Sequence, residues 1–245
     1  MSQPIRINGE LCDNSPSGQN TRRVTNRNRM QQASKKKLIE VRLNKANKFE
    51  TRRQSLAEST LITMGKKGYA NTSMRDIAAE AGVSLGTLHY YFVDKSELLT
   101  HCVKTFKRDF IENVIARCEA ASNFDELISE FCEVCCDSMI SEYQEHRVWF
   151  DIRSQALYEP DLAPLRIEIE RELEELFEAF IVAGEKYSGQ KVSMKIDAIG
   201  WMFEGLFETQ LFNFIQSGNA RQCKKQLDQD FRDFCAQLFP EVSAP

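Results

Sequence analysis

The sequence predicts an all-α fold of about nine helices, and three observations carry that prediction. Apolar residues recur at three- and four-residue spacing in one segment after another, and no segment keeps the two-residue alternation of a half-buried strand. No proline occurs between Pro16 and Pro160, which leaves long helices uninterrupted. Helix-start signatures punctuate the pattern: Ser73 is followed three residues on by Asp76, and Asp94 by Glu97. A chain of 245 residues, 42% apolar and 28% charged, can bury a core without disulfides or a structural metal.

Taken in order, residues 1–33 are polar and hold almost nothing that could build a core, so disorder is expected. Residues 34–48 are basic and read as a nascent helix. The first packed element is expected over 49–66, where Phe49, Leu56, Ala57, Leu61 and Met64 form a stripe ended by Gly65 and Gly68. Met74, Ile77, Ala78 and Ala81 give a short helix stopped by Gly82. Ser84 caps another short helix ending near Phe92. A long helix follows, with Leu98, Cys102, Phe106, Phe110, Ile111, Val114 and Cys118 along one side. Further stripes run from Phe124 to Met139, across 145–158, and from Ile169 to Gly184. Two final helices cover 192–217 and 220–238, and Pro240 stops the last. The expected domains are a basic, largely disordered extension (1–48), a three-helix helix-turn-helix domain (49–95) and a helical ligand-binding and dimerisation domain (96–240).

Charge divides the chain. Residues 1–110 carry 20 Lys/Arg against 10 Asp/Glu, and residues 111–245 carry 12 against 26. The front half suits a polyanion and the back half would repel one. No charge-free apolar run is long enough to span a bilayer; the most apolar stretch, 201–215, contains Glu204 and Glu208. No signal peptide is read at the N-terminus. The eight cysteines lack the spacing of a secreted framework and read as reduced thiols of a cytoplasmic protein.

The stretch Gly82-Val-Ser-Leu-Gly-Thr-Leu-His-Tyr-Tyr-Phe92 admits two readings. Gly82-Val83-Ser84-Leu85-Gly86 matches the G-x-S-x-G elbow of serine hydrolases, with Ser84 as nucleophile. That elbow needs a strand before it, and the preceding residues are helical in pattern. The chain has only three histidines, and His89 lies too close along the same helix to act easily as the base. The other reading is the second half of a helix-turn-helix. Leu88 and Phe92 then point inward, and Gly86 and Tyr90 lie opposite, flanked by Thr87 and His89. Ser84 and the first-turn N–H groups can bind phosphate, and Thr87 can touch a base edge. A helical scaffold that does not bind DNA is the third reading, and the basic front half argues against it.

Residues 51–99 resemble the DNA-binding domain of TetR-family transcriptional regulators. The resemblance implies DNA contacts from Thr72, Arg75, Ser84, Leu85, Gly86, Thr87, His89, Tyr90, Tyr91 and Lys95. Leu85 stands where many members have Lys, and His89 where Tyr is common. It also implies a homodimer on a near-palindromic double-stranded operator, most often as a repressor released by a small-molecule effector. The stretch "EHRVWFDIRSQALYEPDLAPLRIE" bears a partial resemblance to regulators of the choline–betaine type, and it leaves the effector unidentified.

For the back half, the candidate pocket wall is Trp149, Phe150, Tyr158, Phe177, Trp201 and Phe203. The acidic, aromatic composition favours a cationic ligand. The last two helices resemble the family's dimer-forming pair. The candidate interface is Ile199, Met202, Leu206, Phe214, Phe231 and Leu238, because the first of these helices is apolar nearly all round. Cys132, Cys135 and Cys136 share one helix face, and packing in the core is the expected role, with thiol or metal sensing the alternative. No cofactor, metal site, catalytic residue or membrane partner is expected.

Overall fold

The computed structural model describes residues 19–240, with side chains from Leu43 onward, and every regular element among them is helical. The α-helices are α1 (Gln19–Lys67), α2 (Met74–Glu80), α3 (Leu85–Tyr91), α4 (Lys95–Ala120), α5 (Phe124–Ser141), α6 (Tyr143–Gln155), α7 (Ala163–Ser188), α8 (Ile196–Ser217) and α9 (Ala220–Leu238). A 3₁₀ turn at Pro160–Leu162 leads into α7. The described residues divide into two compact units, one ending at Thr51 and one starting at Arg52.

The first unit departs from expectation. Residues 19–48 are helical, so α1 begins thirty residues ahead of the apolar stripe at 49–66. The reason is local: no Gly or Pro occurs between Gly18 and Gly65, and Arg, Lys, Gln and Ala favour helix. Leu43 to Lys48 are exposed, as a polar helix requires. The disorder expected for residues 1–18 lies outside the described residues.

The second unit holds both the helix-turn-helix and the helical body. Its front core is built from Leu56, Ala57, Leu61 and Met64 of α1 with Ile77, Ala78, Leu88 and Phe92, all buried. In the body, α4 packs on α5 and α7, and α8 on α7 and α9. An aromatic cluster joins them: Phe203 is stacked on Phe177 at 5.4 Å and meets Phe131, Phe231 and Phe234 edge-on near 5 Å. Close approach needs glycine at two points. A Cβ at Gly200 would lie 2.9 Å from Phe177, and one at Gly184 2.5 Å from Phe239. Among the described residues no helix is long and apolar enough to cross a membrane.

Candidate nucleic-acid interface and effector cavity

Local hydrogen bonds define the turn between α2 and α3. Ser73 and Asp76 form a reciprocal capping box: the Asp76 N–H donates to Ser73 Oγ at 3.2 Å, and the Ser73 N–H to Asp76 Oδ2 at 2.9 Å. Lys67 Nζ donates to Asp76 Oδ1 at 2.6 Å. The Lys67 hydrogen bond, followed by those from Ser73, holds the Asp76 carboxyl far below its usual range. Gly82, at φ +63°, closes α2: its N–H donates to Ala79 O and that of Val83 to Ala78 O. This pair of bonds is a Schellman ending, which needs the left-handed residue. Ser84 then caps α3, its Oγ accepting from the Thr87 N–H at 3.0 Å and lying 2.8 Å from Thr87 Oγ1.

This geometry answers the elbow question. Ser84 lies between two helices, with no strand before it, and its oxygen serves as a cap. His89 Nδ1 lies 3.1 Å from Val93 O, His101 packs beside Phe92, and His146 is buried beside Ser138. None of the three forms a base for Ser84.

The sequence-derived contact residues are brought largely onto one surface. Arg75, Ser84, Gly86, His89 and Tyr90 are exposed; Leu85, Thr87, Tyr91 and Lys95 are half-buried. Tyr90 keeps 69% of its surface open and meets the Tyr91 ring edge-on at 5.0 Å. Thr72 differs: it is 3% exposed, and its hydroxyl donates to Gly68 O at 2.7 Å. Lys95 is also engaged, its ammonium donating to Tyr69 O (2.8 Å) and Thr72 O (3.0 Å) and lying 3.7 Å over the Tyr69 ring. Burial, more than the raising effect of Glu159 and Asp151, holds the Lys95 ammonium below its ordinary range. The Tyr69 N–H donates to Asp151 Oδ2 at 2.6 Å, which ties this corner to α6.

In the body, α4 to α9 line a partly open cavity of about 40 Å³. Phe150, Phe177 and Phe203 line it as expected. Trp149 is fully buried beside it, its Nε1 donating to Glu204 Oε1 at 3.4 Å. Tyr158 and Trp201 do not reach it; they are 81% and 61% exposed. Tyr158 falls in the loop after α6, and Trp201 takes the outer face of α8, two positions before the inward Phe203.

Three polar residues of the cavity were missed: Lys107, His146 and Glu204. The signal was available. Lys107 interrupts the buried stripe of Val103, Ile111 and Val114, and a charge on an apolar face marks a site or an error. Burial pushes the Lys107 ammonium down to about 8, with Glu204 opposing the shift. Burial, then the Lys107 charge, holds the His146 ring well below its usual value and hence neutral. Glu204 is paired with Arg153 at 3.2 Å.

The interface residues divide. Ile199, Phe231 and Leu238 are buried in the chain's own core, because the inner faces of α8 and α9 pack on α5 and α7. Met202 is exposed, and Leu206 and Phe214 are half-buried. Phe212, beside them, is 60% exposed. The outer face of α9 is polar. Cys132, Cys135 and Cys136 are buried; burial raises their thiols, Cys136 to about 12. Among the described residues no cluster of His, Cys, Asp or Glu could hold a metal ion.

A capped helix-turn-helix, joined through α4 to a helical body with a cavity, defines the class: an all-α helix-turn-helix fold with a second helical domain. Residues 57–102 match the model of the bacterial regulatory proteins of the tetR family. Over 87 residues the chain is 37% identical to the HTH-type transcriptional regulator BetI of Agrobacterium fabrum (strain C58), covering 36% of this chain and 42% of that one. The matched region spans about half the length of the curated relatives. Two solved structures share the fold. FadR of Bacillus subtilis, in complex with stearoyl-CoA, has a TM-score of 0.62 and 15% identity over 73% of this chain and 95% of that one. A transcriptional regulator from Saccharomonospora viridis, in complex with choline, has a TM-score of 0.60 and 19% identity over 76% and 95%.

Proposed function

We propose that the protein is a homodimeric, sequence-specific DNA-binding transcriptional regulator, a repressor released from its operator by a small molecule. The observation that carries this reading is the capped α2–Gly82–α3 turn, which presents Gly86, His89 and Tyr90 outward while Leu88 and Phe92 anchor the helix. Helix α3 enters the major groove, Thr87 and Tyr90 meet base edges and phosphates, and Arg75 and Ser84 hold the backbone. Thr72 and Lys95 act beneath this surface as positioning residues. Two copies of α3 would meet half-sites about 34–36 Å apart. The functional domains are 49–95 for DNA and 96–240 for effector and dimer, and we assign the protein to the cytoplasm.

The effector reading rests on the cavity and on α4, which starts directly after α3 and carries Lys107. Twelve residues separate Lys95 from Lys107, about 18 Å of helix. A second route runs from Phe150 on the cavity wall through the adjacent Asp151 to Tyr69 and Lys95. The outward face of α8, with Trp201, Met202, Leu206 and Phe212, supports a two-fold dimer. Stearoyl-CoA and choline, held by the two structural neighbours, show how widely ligand chemistry ranges on this fold.

Selection of bound genomic fragments tests the reading. A near-palindromic site is expected, bound by a dimer, and Trp201→Asp is expected to give a monomer in sedimentation with much weaker operator binding. A dimer that survives this change would remove the α8 face from the account.

A further inference from the structure

We infer that the effector is a small organic acid, an apolar body carrying one carboxylate whose negative charge pairs with Lys107. This rests on the cavity as the effector site and names the chemistry the site would take.

The cavity wall carries one charge with no direct polar partner. Lys107 is 3% exposed, and among the described residues no hydrogen bond or ion pair reaches its ammonium. What surrounds it is ring: Trp149, Phe110 and Phe106 at 5.2, 5.5 and 5.7 Å. The acid on the cavity wall, Glu204, is taken by Arg153 at 3.2 Å and by Trp149 Nε1. Glu204 and Glu142 act on the ammonium only at a distance, so its burial is costly, and an anion in direct contact would offset that cost. A cation would instead meet Lys107 as a like charge in a low-dielectric space.

His146 adds direction. Ser138 Oγ donates to Glu142 Oε2, so the hydroxyl must accept from His146 Nε2–H, 2.7 Å away. That bond assigns the tautomer and leaves Nδ1 as a bare acceptor. The ring is 1% exposed, lines the cavity, and among the described residues Nδ1 has no partner. A hydroxyl or N–H next to the ligand's carboxylate would satisfy it. Phe131, Phe177, Phe203 and Phe207 supply the apolar remainder. At about 40 Å³ the space holds about three waters, so an acid must part these rings as it enters.

The experiment uses the full chain without DNA, by calorimetry and thermal shift. The probes are benzoate, phenylacetate, mandelate and hexanoate, each against its primary amide, together with choline. At least one carboxylate is expected to bind about tenfold or more tighter than its amide, as a charge-assisted contact implies. Mandelate is expected to exceed phenylacetate, and His146→Phe to remove that advantage. Lys107→Met, with Lys107→Gln as a second variant, is expected to reduce the acid-over-amide preference to less than about twofold while amide binding persists. The inference is overturned if no acid binds, if acids and amides bind alike in the unaltered chain, if the preference survives both Lys107 variants, or if choline binds more tightly than every acid. Because no DNA is present, a failure of operator recognition would leave this result standing.

Discussion

Replacing Lys107 by Met removes a buried ammonium from the body of the protein. Its ammonium has an ordinary pKa of 10.5, which burial brings to about 8. At 1.36 kcal/mol per unit, the drop corresponds to about 3 kcal/mol against the folded state. The rings of Phe106, Phe110 and Trp149 return about 0.5–2 kcal/mol of this. Lys107→Met is therefore expected to be about 1–3 kcal/mol more stable than the unaltered chain at pH 7. The sign with pH follows from a folded pKa below the unfolded one. Under pH 8 both states hold the proton and the whole penalty is present. Between pH 8 and 10.5 only the unfolded chain keeps it, so the unaltered protein gains stability and the gap closes. The charged groups around Lys107 are Glu204 on α8, Arg153 on α6 and Glu142 before α6, and α7 faces the cavity with Leu173, Leu176 and Phe177. The neighbouring Cys135 and His146 are shifted out of this window, upward and downward. Urea titrations of both proteins at equal concentration, at pH 7 and pH 10, measure the gap. A variant no more stable than the parent at pH 7, or a gap unchanged at pH 10, would refute the reasoning.

Three further outcomes are expected. Ser84→Ala removes the α3 cap and lowers stability by about 1 kcal/mol, and Gly82→Ala, forced to hold φ at +63°, by about 1–2 kcal/mol; denaturant titration measures both, and no change in either would contradict the turn. The seven described cysteines are buried, and for Cys118 and Cys235 burial raises the thiol to about 12, so a disulfide reagent should modify these seven only as the chain unfolds. Rapid loss of more than one thiol from the native protein would support a sensing role. Deleting residues 1–33, which hold five arginines, should lower DNA affinity and flatten its salt dependence; unchanged values of both would exclude a DNA contact by this segment.

Periodicity and punctuation made most of the fold legible. The Ser73–Asp76 box, Gly82 and the Leu88/Phe92 pair lie where local rules put them, because short-range hydrogen bonds decide those positions. Local rules gave less where burial is a tertiary matter. Ile199, Trp201, Phe231 and Leu238 are equally apolar in sequence, and only packing separates inside from outside. Tyr158 fell in a loop, where helical spacing carries no information. Thr72 and Lys95 read as surface groups, yet they bond to backbone carbonyls brought near by the fold. Lys107 was legible as an exception to its stripe, and His146 needed Ser138 and Glu142 beside it before its tautomer had meaning. Helix α1 exceeded its apolar stripe because helix-favouring residues continue ahead of it.

The central claim is that α3 reads DNA, and it is tested most directly by binding to genomic fragments across a salt series, unaltered chain against Tyr90→Ala. The account predicts a selected near-palindromic site, lost in the variant while circular dichroism shows the helical fold unchanged. Weak, sequence-independent binding by the unaltered chain, or equal binding by Tyr90→Ala, would contradict it.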